Sequence, residues 1–218
     1  MVQDKAADTR YAKQTERFGG IVKELRFRAS YTLQVLAKRC GLSASTISKI
    51  ESGQLSPTYE TILRLADGLG VDLSALFEGS DGGRSRAGRR SVTRMGEGHS
   101  YRSPHYSYEF LSPELSRKHF TPIVATVNAR DIDEFDEFSS HDGEEFIYIL
   151  DGAIDFYTEH YEPIRLNAGD SCYIDSQMGH ACVSVSEHDA KIMWVTSRAA
   201  PEASAAPLPK TVRRTAKP

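Results

Sequence analysis

Two hydrophobic rhythms divide this chain. Between Phe18 and Phe77 apolar residues recur every three or four positions, and from Tyr106 to Thr196 they tend to alternate with polar ones. In the first region Phe18, Ile21, Val22 and Leu25 mark one helix, Leu33, Leu36 and Ala37 a second, and Ile47 and Ile50 a third. Ile62, Leu65, Ala66 and Leu69 stripe a fourth, and Asp72 or Ser74 opens a short fifth through Phe77. The punctuation agrees. Thr32 and Ser43 stand at N-cap positions, and Gly41 follows Lys38 and Arg39 at a helix C-terminus. Pro57 is expected at the first turn of the fourth helix with Ser56 as its cap, and Gly68 and Gly70 end that helix.

The second region reads as many short strands: around Tyr106 and Tyr108, Pro122 to Val127, His141 to Tyr157, Ile164 to Leu166, Ser171 to Ile174, Ala181 to Val185 and Lys191 to Thr196. Gly, Asp, Asn and Pro separate them, as in an antiparallel barrel or double-sheet sandwich. The expected fold class is therefore α + β with two domains, a five-helix domain and then a double-sheet β-barrel. The boundaries read as an arm over residues 1–17, a helical domain over 18–78, a flexible Arg/Gly/Ser linker over 79–98, a β domain over 99–198 and a disordered basic tail over 199–218.

Charge sharpens this division. Residues 1–98 hold 16 Lys/Arg against 11 Asp/Glu, residues 99–198 hold 7 against 18, and residues 199–218 hold 4 against 1. A basic first part fits a polyanion, whereas the acidic middle would be repelled by one and has another task. No apolar run approaches a membrane span, and the polar N-terminus lacks the apolar core of an export signal, so the expected location is the cytoplasm with no membrane partner. Cys40, Cys172 and Cys182 lack CxxC spacing and read as free thiols.

The second and third helices, joined by a short Gly-containing turn, have the helix-turn-helix arrangement. The outer face of the third carries Ser45, Thr46, Ser48 and Lys49, short donors and acceptors plus one cation suited to a major groove. An ordinary helical hairpin with a polar face has the same pattern. The stretch TLQVLAKRCGLSASTISKIESG, followed by SPTYETILRLADGLGVDLSALF, resembles the Xre/Cro-type helix-turn-helix domain of repressors. That resemblance implies a double-stranded DNA operator as partner. It assigns Ala44, Ser45, Ser48 and Lys49 to base edges and Gln34 and Ser43 to phosphates, and it pairs Arg26 with Glu51 as a structural ion pair.

In HDGEEFIYILDGAIDFY, His141, Glu145, Ile147 and Ile149 share one strand face, and Phe146, Tyr148 and Leu150 the other. On a later strand His180, Cys182 and Ser184 share a face. If both faces point inward, His141, Glu145 and His180 converge, and two His plus one carboxylate is a metal-ligating set. A polar pocket in which the three bond to one another is the alternative. These residues resemble the cupin motifs. His141, Glu145 and Gly152 match the first, with Ser139 in place of its leading His. Gly169 and His180 match the second, with Asp175, Gln177 and Ser184 departing from it. The resemblance implies one divalent ion (Fe, Zn, Mn or Ni) on His141, Glu145 and His180 and a small-molecule effector pocket near Tyr106, Tyr108 and Cys182. One head of this size reads only a half-site, so a homodimer is expected, with the apolar face of Phe146, Tyr148 and Leu150 placing its contact in the cupin.

The expected function is a non-enzymatic transcriptional regulator with a DNA-binding head and an effector-sensing, dimerising cupin. The alternative is an oxygenase, since the same head-plus-cupin order and two-His-one-Glu site resemble the non-haem iron epoxidases of hydroxypropylphosphonate. Ser30 departs from that resemblance, because it stands where those enzymes place a phosphonate-binding lysine.

Overall fold

The computed structural model describes residues 2–73, 75–78, 89–115 and 118–197, so the first half of the expected linker and the whole of the expected basic tail lie outside the described residues. Five helices come first: α1 Val2–Arg28, α2 Leu33–Cys40, α3 Ala44–Glu51, α4 Tyr59–Leu69 and α5 Ala75–Glu78. Helix α1 thus begins within the expected arm.

The caps act as the sequence implies. Thr32 Oγ1 accepts the Val35 N–H at 3.2 Å and Ser43 Oγ accepts the Thr46 N–H at 3.0 Å. Gly41 ends α2 in the left-handed region, at φ 63°. Helix α4 departs from expectation. It begins at Tyr59 with Thr58, not Ser56, as its cap, and Thr58 Oγ1 accepts the Thr61 N–H. Ser56 is engaged elsewhere, its hydroxyl 2.8 Å from that of Tyr101, and the Pro57 carbonyl accepts the Tyr101 O–H.

Two glycines set the helix spacing. A Cβ on Gly19 would meet the Ile50 carbonyl at 2.1 Å, so α1 lies directly on the end of α3. A Cβ on Gly68 would meet Cys40 Sγ at 2.2 Å, where α2 crosses α4. Arg26 and Glu51 form the expected ion pair in bidentate form, Nε to Oε1 at 2.6 Å and Nη2 to Oε2 at 2.8 Å, and Arg26 also donates to the Tyr31 carbonyl.

Nine strands follow: β1 His99–Arg102, β2 Tyr106–Phe110, β3 Phe120–Val127, β4 Glu144–Asp151, β5 Ala153–Thr158, β6 Tyr161–Asn167, β7 Ser171–Asp175, β8 His180–Ser184 and β9 Ala190–Ser197. They form a six-stranded antiparallel sheet in the order β1-β2-β3-β9-β4-β7 and a three-stranded one in the order β6-β5-β8. The strands do not close into a barrel. The sheets face each other over Ile123, Ile147, Ile149, Ile154, Phe156, Ile192 and Trp194, with an isolated bridge between Ser139 and His180. The expected extension of the fourth strand back to His141 is also corrected. The strand starts at Glu144, after Gly143 turns the chain at φ +117°.

The two domains share one hydrophobic core. Phe77 of α5 packs on His99, Phe110 and Tyr101 with ring centroids 4.6, 4.9 and 5.8 Å away, and Phe18 of α1 lies 5.5 Å from Tyr101. Tyr59, the first residue of α4, packs on Tyr108 and Phe110 at 5.8 and 6.1 Å. The hairpin of β1 and β2 is thus the platform on which the helical head sits.

Candidate metal centre and nucleic-acid interface

Glu145 lies on the inner face of β4, and His180 opens β8 on the opposite sheet. His141 precedes the Gly143 turn, and its N–H bonds the Ser176 carbonyl, which fixes the loop against the end of β7. The turn returns the chain so that His141 Nε2 reaches Glu145 Oε1 at 2.8 Å. His180 Nε2 stands 3.1 Å from Glu145 Oε2, yet neither atom has an aligned hydrogen-bond partner among the described residues. One donor atom from each of the three lies within 4.8 Å of the others.

The backbone selects the imidazole tautomers. His141 Nδ1 faces the Asp142 carbonyl at 3.2 Å and His180 Nδ1 faces the Met178 carbonyl at 2.9 Å. A carbonyl only accepts, so each Nδ1 carries the proton. Each neutral ring then presents its Nε2 lone pair to a carboxylate that also only accepts. Three lone-pair donors converging without a shared proton repel one another, and a cation relieves that repulsion. The chain thus has the donor set, tautomers and orphaned buried atoms that a divalent metal requires. In the absence of metal, a proton takes this place. Burial pushes the Glu145 carboxyl up, but the two imidazoles beside it more than offset this and hold it at about 2. Burial pushes His141 down, and Glu145 reverses that into a net rise.

These three residues form one wall of a cavity of about 680 Å³. Tyr106 and Tyr108 line it as expected, but Cys182 does not appear among its lining residues. Cys182 is buried behind Tyr106, whose hydroxyl donates to the Cys182 carbonyl and accepts the Cys182 N–H, both at 3.1 Å. Ser139, in the place of the missing cupin His, does line the cavity. So do residues the sequence reading did not single out: Trp194, Phe135 and, from the head, Tyr59, Glu60, Thr61 and Arg64. Trp194 was accessible to strand alternation with Ile192 and Thr196. The head residues were not, because only the docking of the two domains brings them there.

On the head, Ser45, Ser48 and Lys49 are exposed along α3, and Gln34 is exposed at the start of α2. Ser43 is exposed but spends its hydroxyl on capping and on Thr46 Oγ1 at 2.8 Å. Ala44 is half-buried against the core. Thr46 is half-buried too and borders the cavity, so it faces the cupin more than the other α3 positions do. Ser30 is exposed and does not line the cavity.

A helix-turn-helix domain family matches residues 17–76 and a cupin domain family matches residues 133–196. No curated protein matches the chain. Among solved structures, an HTH_3-family transcriptional regulator from Vibrio cholerae aligns over 87% of this chain and 99% of its own, at 19% identity and a TM-score of 0.59. The hydroxypropylphosphonic acid epoxidase from S. wedmorenis aligns over 84% of this chain and 98% of its own, at 22% identity and a TM-score of 0.45. The first likeness agrees with the fold described above. No described helix is long and apolar enough to cross a membrane. This chain therefore pairs an Xre-like helix-turn-helix domain with a cupin domain.

Proposed function

We propose that the chain is a cytoplasmic, sequence-specific DNA-binding regulator, not an enzyme, whose cupin senses a small molecule. One divalent ion (Fe, Zn, Mn or Ni) is held by His141, Glu145 and His180, where it would supply open coordination positions to an effector's oxygen or nitrogen. Ser45, Ser48 and Lys49 read base edges of a double-stranded operator, and Gln34 contacts phosphate. The observation that carries this reading is that the DNA-binding head and the three-ligand group border a single cavity. A ligand there has a physical route to α3, which a cupin hung on a free tether would lack.

The test is selection of duplexes from a random library by the full chain. A near-palindromic site should be enriched, with half-sites one helical turn or a multiple apart. Failure to enrich any site would sink the regulator. The open triad also favours a second reading, an iron-dependent oxygenase. Oxygen uptake by the Fe(II)-loaded chain on a hydroxyalkylphosphonate would establish it, and its absence together with operator selection would dismiss it.

A further inference from the structure

The cavity is rich in carboxylates. Glu60, Asp136, Glu137 and Glu145 line it against a single permanent cation, Arg64, which is already ion-paired to Glu60. A carboxylate or phosphate entering without a compensating ion would meet like charge from several sides and no uncommitted guanidinium. Aromatic side chains, Tyr59, Tyr108, Phe135 and Trp194, share the lining with these acids. Carboxylates and π-faces in one cavity suit an ammonium group, which is attracted by both. A second, independent observation concerns the cavity's inner wall. Trp194 is 5% exposed, and its indole N–H has no hydrogen-bond partner among the described residues. A buried donor left in this state is costly and calls for an acceptor.

We propose that the cavity takes a small organic amine bearing an oxygen acceptor at its other end, such as an amino acid or amino alcohol, and that the DNA-binding head forms part of this site through Tyr59 and Glu60. This rests on the regulator reading for its purpose, though not for its chemistry. Tyr59 is the keystone. Its ring meets His141 edge-on at 6.2 Å and packs on Tyr108 at 5.8 Å, so it touches the wall of the cupin site from the first turn of α4. Glu60, next in sequence, places a head carboxylate on the same rim. An amine held between Glu60 on one side and Asp136 and Glu137 on the other adds contacts between head and cupin. Ligand binding then favours the docked arrangement and is linked to how α3 is presented to DNA.

The test is calorimetric titration of the full chain with a panel of amino acids and amino alcohols, each matched to its desamino analogue. At least one amine should bind about tenfold or more tightly than its analogue, the effect of one lost charge-assisted contact. The exposed double variant Asp136→Asn/Glu137→Gln and the single variant Glu60→Gln should each weaken that binding by about tenfold while retaining wild-type affinity for random duplex. Binding only of desamino acids or phosphates, or no binding by any amine, overturns the proposal. Undiminished amine binding by Glu60→Gln overturns the head's share in the site. These readouts contain no operator, so the duplex selection described above fails or succeeds independently of them.

Discussion

Both site imidazoles spend their Nδ1 protons on backbone carbonyls, and the chemistry of the centre follows from that. Metal uptake needs both Nε2 lone pairs. Because Glu145 holds the His141 pKa above its ordinary 6.5, a proton competes with the metal up to that raised value, and affinity should fall as pH drops through it. Metal titrations across pH would show this as a loss that His180→Ala makes complete at every pH, with random-duplex binding intact. In metal-free protein both groups stabilise the fold, with opposite pH dependence. The depressed Glu145 contributes fully above its ordinary 4.5 and loses that contribution as pH falls toward about 2. The raised His141 contributes fully below 6.5 and loses it as pH rises through its folded value. The stability difference between wild type and Glu145→Gln should therefore be widest between those two ordinary values, and a flat difference by thermal melts would refute the coupling. The triad was legible in the sequence because positions 141 and 145 share strand parity and His180 matched a motif. It survived the correction of the strand's start because the Gly143 turn still returns His141 to Glu145. Trp194's unpaired N–H was not legible, since a missing partner is a property of packing.

The helices were legible as elements because amphipathic period and capping residues agreed. The start of α4 was not, because Ser56 and Thr58 are both competent caps and a hydroxyl on a distant strand, Tyr101, decides between them. The contact of α1 with α3 rests on the absence of a side chain at Gly19. Gly19→Ala should cost about 1–3 kcal/mol by overpacking, read as a lower denaturant midpoint, although alanine is the better helix former. On α3, Lys49→Ala should weaken operator binding by about 1–3 kcal/mol if Lys49 reads a base. Ser45→Ala should relax sequence preference. Equal losses on operator and random duplex would show that neither side chain reads sequence.

At the scale of the whole molecule, the outer face of the larger sheet stands open. Phe146, Tyr148 and Leu150 are 38, 40 and 44% exposed, and the strand register continues the apolar row through Val195 to Pro122 on one side and to Tyr173 on the other. We expect a second copy to cover it. Tyr148→Glu should shift the sedimenting species from dimer to monomer and weaken a two-half-site duplex far more than a single half-site. A wild-type chain that sediments as a monomer at micromolar concentration would count against this. Sequence rhythm told the helices from the strands but gave no sign that their cores merge, since each amphipathic pattern was already satisfied by its own elements. The merger changes what the head is. Phe18, Tyr59 and Phe77 are covered by rings of the β1-β2 hairpin, so a peptide-bond cut between Glu78 and Arg89 should leave two pieces that travel as one particle and melt in one transition. Grafted onto a foreign sensor without those rings, the head would carry three aromatic side chains into water. This DNA reader is not an interchangeable part, and any chimaera that keeps it must bring the hairpin along.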